Sequence, residues 1–264
     1  MKSILLSFAT ILLACSVNAQ DWAKAKLESS PRHHEWVKVK HGDREVNCYI
    51  TYPEVKDKAT AVIVIHEIFG MTDWARSVTD ELAAEGYIAI EPDLLSGMAP
   101  GGGGTAEMGG QDNATKAVSK LPADQVTADL DAVAKYVSEL PSGNGKMAVA
   151  GFCWGGGKSF QYATHNKDLK AAFVFYGTPP DAESMAKINC PVYGFYGGND
   201  NRVTSTVPAA TEQMKQAKKT YEPVTYDGAG HGFMRAGEAP DANAANKKAW
   251  NDAWTRWKEL LKKI

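Results

Sequence analysis

Three short stretches carry residue types that could do covalent chemistry. The first is Gly151-Phe152-Cys153-Trp154-Gly155-Gly156, directly after the apolar run Lys146-Met147-Ala148-Val149-Ala150. It predicts a buried strand that breaks sharply into a helix with a thiol at the apex, the Gly-x-Ser-x-Gly nucleophile elbow with cysteine in place of serine. Glycines are needed there because side chains two positions either side of a strained turn would collide. The helix N-terminus that follows favours a thiolate at Cys153. Such a thiol needs a base, and the base needs an orienting acid. In open α/β sheets these partners stand on loops after the carboxyl ends of strands. Val192 to Gly198 leads into Asn199-Asp200, and Tyr226-Asp227-Gly228-Ala229-Gly230 leads into His231-Gly232. Alone, Asp200 fits an ordinary turn and His231 a surface loop. Together with Cys153 they give the order nucleophile, acid, histidine, which is the α/β-hydrolase order.

An oxyanion hole would combine the backbone N–H of Trp154 with one from the loop after the third strand, His66-Glu67-Ile68-Phe69-Gly70. Ile68 is the expected second donor. Glu67 is a charge placed just past a buried strand, an expensive position unless it is paired or working. Gly151 to Ser159 nearly spells a phosphate-binding loop, but the spacing to Lys158-Ser159 is one residue too long. His33, His34 and His41 lack zinc-ligand spacing. Asn113-Ala114-Thr115 fits a glycosylation sequon, a weak pattern.

The elements that must position these residues are legible from periodicity. Strands are expected at His34–Lys40 and Glu45–Tyr52 as an antiparallel hairpin, then at Ala61–His66, Tyr87–Glu91, Lys146–Ala150, Ala171–Tyr176, Val192–Tyr196 and Glu222–Tyr226. Helices are expected at Asp73–Glu85, Ala123–Glu139, Trp154–His165, Pro208–Lys218 and Ala242–Lys262. Strands alternating with helices predict an α/β fold, an eight-stranded mostly parallel sheet with helices on both faces. Ser96 to Pro122, with Gly101-Gly102-Gly103-Gly104 and Gly109-Gly110, is the one long irregular stretch and suits a mobile flap beside the site. Trp250, Trp254 and Trp257 recur as a helical stripe, the pattern of core packing.

The chain has 264 residues, 44% hydrophobic and 23% charged, with a formal net charge of -2. That composition suits one globular domain over residues 20–264 and gives no sign of a nucleic-acid partner. Residues 1–19 read as a signal peptide: Lys2, an apolar core from Ile4 to Ala14 too short to span a bilayer, then Val17-Asn18-Ala19 as a cleavage site. An exported chain, periplasmic or secreted, is expected. The alternative is a lipoprotein anchored through Cys15. No later segment reads as an integral membrane span, and a monomer is expected. Cys48, Cys153 and Cys190 then remain, and no disulfide between Cys48 and Cys190 is expected, because their strands lie far apart.

His66-Glu67-Ile68-Phe69-Gly70, Pro92-Asp93-Leu94, the cysteine elbow, the Gly-Gly-x-Asp turn and His231-Gly232-Phe233-x-Arg235 together resemble the dienelactone hydrolase family, from about Trp36 onward. The resemblance implies an α/β-hydrolase fold and a Cys153–His231–Asp200 triad that cleaves enol-lactones or similar small esters through a thioester, with no metal or organic cofactor. It implies that Glu67 holds the thiol in an unreactive pose until substrate displaces it, and that Arg235 helps to bind a substrate carboxylate. This chain departs from the family after Pro92-Asp93-Leu94-Leu95. A second carboxylate-binding arginine is expected there, and the chain reads Ser96-Gly97-Met98, so the chemistry carries over better than the substrate. The alternative is a non-catalytic exported protein that binds a small molecule on the same scaffold.

Overall fold

The structure, a computed structural model, describes residues 20–264. The expected leader, Cys15 included, lies outside the described residues. Eight strands form one sheet: β1 (His33–His41), β2 (Arg44–Tyr52), β3 (Ala59–Ile65), β4 (Ile88–Pro92), β5 (Gly143–Phe152), β6 (Leu169–Phe175), β7 (Val192–Gly197) and β8 (Tyr221–Tyr226). Their order is β1-β2-β4-β3-β5-β6-β7-β8. β1 pairs antiparallel with β2 in register from His33 opposite Tyr52 to His41 opposite Arg44, and β2 pairs antiparallel with β4. Every other pairing is parallel. The mostly parallel sheet and its N-terminal hairpin are therefore as the alternation requires.

β3 shows why the central strands read as unbroken apolar runs. Ile63 and Ile65 join one buried cluster with Val149 and Val174, while Val62 and Val64 join another with Ala148, Phe173 and Phe175. A strand covered on both faces must be apolar at every position, since its side chains alternate between them. Each fully buried Val or Ile contributes about 1.5–3 kcal/mol. The first face is covered by α4 (Ala123–Ser138), α5 (Trp154–His165) and α8 (Val207–Gln216), through Leu130, Val133, Phe160 and Met214. The second is covered by α2 (Asp73–Ala84) and α10 (Ala244–Leu261), through Trp74, Leu82 and Trp257. Trp257 is fully buried against Phe152, Phe173 and Phe175, while Trp250 and Trp254 pack on the edge of that cluster.

The outer hairpin is mostly exposed on β1 and is fastened by charge instead. His41 Nε2 lies 2.6 Å and Arg44 Nε 2.7 Å from Oδ1 of the buried Asp129 on α4. His34 Nε2 and Arg32 meet the buried Asp80 on α2 in the same way. The N-terminal histidines are thus partners of carboxylates.

The structure corrects the reading of 96–122 as one irregular flap. It contains a 3₁₀ turn at Thr105–Glu107 and the helix α3 (Gln111–Val118). Thr105 ties the segment down: its N–H and hydroxyl each donate to Asp93 at 2.7 Å, and its Oγ1 accepts from Met71 N–H at 3.1 Å. α3 buries only Ala114 and Val118, too few apolar positions to announce a helix by period. Four further short helices, α1 (Asp21–Glu28), α6 (Ala182–Met185), α7 (Asn201–Thr204) and α9 (Phe233–Glu238), also escape that criterion. No helix of the described residues is long and apolar enough to cross a membrane.

Candidate active site

The elbow exists because two glycines let backbone approach backbone. A Cβ at Gly151 would run into the carbonyl of Gly155, and one at Gly155 into the carbonyls of Ile65 and His66. Cys153, between them, has φ +56° and ψ -114°, a conformation that strains any non-glycine residue. The strain is held by hydrogen bonds on both sides of the residue. Cys153 N–H donates to Phe175 O at 3.0 Å, and Gly157 N–H donates to Cys153 O at 3.2 Å. The result is a thiol presented at the first turn of α5, half-exposed.

The loops after β7 and β8 deliver the other two groups, and they are stitched together by main chain. Gly198 N–H donates to Tyr226 O and Asn199 N–H to Ala229 O, both at 2.8 Å. Across this pair of loops His231 Nδ1 lies 2.5 Å from Asp200 Oδ2, and His231 Nε2 lies 3.0 Å from Cys153 Sγ. A carboxylate only accepts, so Nδ1 carries the proton and Nε2 faces the thiol. Asp200 is 6% exposed. The imidazole holds a proton more tightly than usual, its pKa raised to about 9. The hydrogen bond to the Cys153 sulfur is the main cause, burial opposes it, and the bond to Asp200 adds to the rise. The structure thus brings Cys153, Asp200 and His231 together in the order expected.

The other two thiols of the described residues differ in kind. Cys48 and Cys190 are buried and unpaired, and burial pushes both away from ionisation, Cys190 to about 11.

Ile68 follows β3 in a turn closed by Gly70 N–H to Glu67 O, and its own N–H makes no main-chain bond. Trp154 opens α5, where the first N–H groups of a helix have no partner within it. Ile68, Cys153 and Trp154 line a cleft of about 520 Å³ together with Tyr176. No residue of 96–122 lines it, so the expected flap does not cover the site.

Glu67 and Arg235 differ from what the family resemblance implies. Glu67, 3% exposed, accepts from Arg235 Nε at 2.7 Å, and the thiol's partner is His231. A carboxylate so deeply buried requires a counter-charge, and Arg235 on α9 supplies it. The Arg235 guanidinium therefore sits on Glu67 and over the Phe69 ring at 5.3 Å, and it is not among the residues lining the cleft. Ser96, at the point of departure from the family, is fully buried, its hydroxyl donating to Asp93 O and accepting from Asn47 N–H.

Three residues near the site were not singled out as functional from sequence. Tyr176 follows β6 at φ +41°, is buried, and stands edge-on to His231 with ring centroids 5.1 Å apart. Burial pushes its phenol well above the usual range, and the charge of Glu67 adds to the rise. His66 is fully buried and stacks on Trp154 at 5.6 Å; burial lowers its pKa and keeps it neutral. Lys158 lines the cleft. A positive φ leaves no mark in sequence on a tyrosine; the structure shows the Gly177 beside it packed on the backbone of Gly156 and Gly157.

Comparison with known proteins gives the family and the fold. Residues 46–264 match the Dienelactone hydrolase family. A relative from Escherichia coli (strain K12), described as "Putative carboxymethylenebutenolidase", is 34% identical over 228 residues, 76% of each chain. One of the same description from Saccharolobus solfataricus is 30% identical over 254 residues, 83% of this chain and 95% of that protein. The crystal structure of a "Putative Dienelactone Hydrolase" from Klebsiella pneumoniae subsp. pneumoniae superposes with a TM-score of 0.77 at 30% identity, covering 88% of this chain and 99% of that chain.

Proposed function

The chain belongs to the dienelactone hydrolase family, whose members are ester and lactone hydrolases, and from that premise we propose that it cleaves its substrate through a Cys153–His231–Asp200 triad and a thioester acyl-enzyme. The observation that carries this reading is the unbroken relay at the cleft, 3.0 Å from sulfur to imidazole and 2.5 Å from imidazole to carboxylate.

The proton of the Cys153 thiol passes to His231 Nε2, giving a thiolate–imidazolium pair. The thiolate attacks the substrate carbonyl, and the N–H groups of Ile68 and Trp154 receive the oxyanion. As the tetrahedral intermediate collapses, the imidazolium returns its proton to the departing alkoxide, leaving a thioester on Cys153. Neutral His231 then takes a proton from water as that water attacks the thioester. The thiolate leaves, the ion pair re-forms and the carboxylic acid departs. Arg235 neutralises Glu67 throughout, so no unpaired carboxylate faces the thiolate.

The pH profile tests the relay. The raised pKa means that His231 keeps its proton below about 9 and loses it as pH rises through that value. For a lactone or alkyl ester, whose leaving group needs the proton, kcat/KM is expected to fall about tenfold per pH unit above the break. A 4-nitrophenyl ester, whose leaving group needs none, is expected to show no such fall. The same break for both substrates would detach His231 from leaving-group protonation.

We further propose that residues 20–264 act as one domain, a reading supported by the single continuous sheet, and that the chain is exported. Export is supported by Lys2, the apolar residues 4–14 and Val17-Asn18-Ala19.

A further inference from the structure

His66 stands between β3 and the turn that carries Glu67 and Ile68, fully buried, and the proposed chemistry gives it no task. Its Nδ1 lies 2.8 Å from Glu67 O. A carbonyl only accepts, so the neutral imidazole carries its proton on Nδ1 and leaves Nε2 as an acceptor. Nε2 is buried and has no hydrogen-bond partner among the described residues. Burial keeps the ring neutral against the charge of Asp93. A side chain that only filled this space would be better off without a buried, unpaired acceptor. The bond that the ring does make is the feature to explain.

Glu67 O and Ile68 N–H belong to one peptide unit, which is planar and trans, so the two point in opposite directions. Whatever fixes the carbonyl therefore fixes the aim of the N–H. Glu67 O accepts from His66 Nδ1 and, at a longer 3.2 Å, from Gly70 N–H. The Gly70 bond alone is a pivot about which the peptide can swing. The imidazole supplies a second point of attachment and stops that rotation. Ile68 N–H is then directed away from both donors, without a main-chain partner, in a residue that lines the cleft with Cys153. The same ring reaches the other expected donor: it stacks on Trp154 with centroids 5.6 Å apart and planes 10° from parallel. The His66 carbonyl also abuts Gly155, where a Cβ would collide with it.

We propose that His66 is the positioning residue of the oxyanion hole: its Nδ1–H holds the Glu67–Ile68 peptide so that Ile68 N–H meets the oxyanion, and its ring seats Trp154. This rests on the reading of Cys153 as the nucleophile beside which the oxyanion forms. The oxyanion's charge develops only on the way to the tetrahedral intermediate, so a misaimed donor costs turnover and spares substrate binding.

Two substitutions separate the bond from the stack. His66→Phe keeps a ring against Trp154 and loses the donor; His66→Asn loses the ring and keeps an N–H close to where Nδ1 stood. With 4-nitrophenyl acetate, His66→Phe is expected to lose about thirtyfold in kcat with KM within about threefold of wild type. That is less than the loss of about 10²–10³-fold that follows deletion of an oxyanion donor, because the donor is misaimed and still present. His66→Asn is expected to keep kcat within about fivefold of wild type. Stability should run the other way. Asparagine leaves a cavity and lowers the thermal unfolding midpoint, whereas phenylalanine removes an unpaired acceptor and leaves the midpoint at or above that of the wild type. A His66 that only supports the fold would make activity follow stability. A lower kcat in His66→Asn than in His66→Phe, or a kcat in His66→Phe within about threefold of wild type, would overturn the proposal. Alkylation of Cys153 by iodoacetamide forms no oxyanion, so its rate in His66→Phe is expected to stay within about twofold of wild type. A fall there matching the fall in kcat would place the damage at the thiol and overturn the assignment. Failure of the thiol chemistry itself reads differently, as wild-type turnover in Cys153→Ala.

Discussion

Cys153→Ala is expected to lower kcat/KM toward a 4-nitrophenyl ester by about 10³-fold or more, with the thermal unfolding midpoint unchanged. The loss should be this large because nothing nearby can substitute for the sulfur. Cys48 and Cys190 are buried and resist ionisation, and His231 without the thiol has no nucleophile to activate. The fold should survive because the elbow is built by backbone. Close approach at Gly151 and Gly155 and the main-chain bonds of residue 153 to Phe175 and Gly157 remain when Sγ is removed. Residual turnover near the background rate fits the proposed chemistry. Turnover within about threefold of wild type would remove Cys153 from it.

Asp200→Asn is expected to cost about 10²–10⁴-fold in kcat/KM. The amide can offer its N–H to His231 Nδ1, which favours the tautomer with the proton on Nε2, pointed at sulfur, where it cannot act as base. The substitution also replaces a carboxylate that is 6% exposed and makes a charge-assisted bond of 2.5 Å to His231. Because Asp200 helps to raise the His231 pKa, the break in the alkyl-ester profile should move below about 9. A full-rate variant with an unmoved break would show that the Asp200 contact does not tune the histidine.

The parts of this molecule that obey a period were legible in sequence. β3 read as a two-face buried strand because all seven of its residues are buried, and Trp154–His165 read to the residue because glycine and strand flank its start. Cys153, Asp200 and His231 were legible because each follows a strand of the parallel sheet, where topology alone brings loop residues together. What escaped was decided by single tertiary contacts. The anchoring of 96–122 combines the burial of Ala114, Val118 and Leu121 with a threonine meeting Asp93, a pairing with no local signature. Glu67 was recognisable as a charge in a costly position, but its pairing with Arg235 across 168 residues was not. Lys158 was read only as part of a near phosphate-binding loop and set aside on its spacing, because its place in the cleft depends on how α5 faces the loops after β6 and β7.

The most direct measurement is intact and peptide mass spectrometry of the enzyme quenched during the burst with a 4-nitrophenyl ester. The account predicts a mass gain of one acyl group, located on the peptide that contains Cys153 and discharged by hydroxylamine. An acyl group on any other residue, or turnover through a burst with no acylated enzyme, would contradict it.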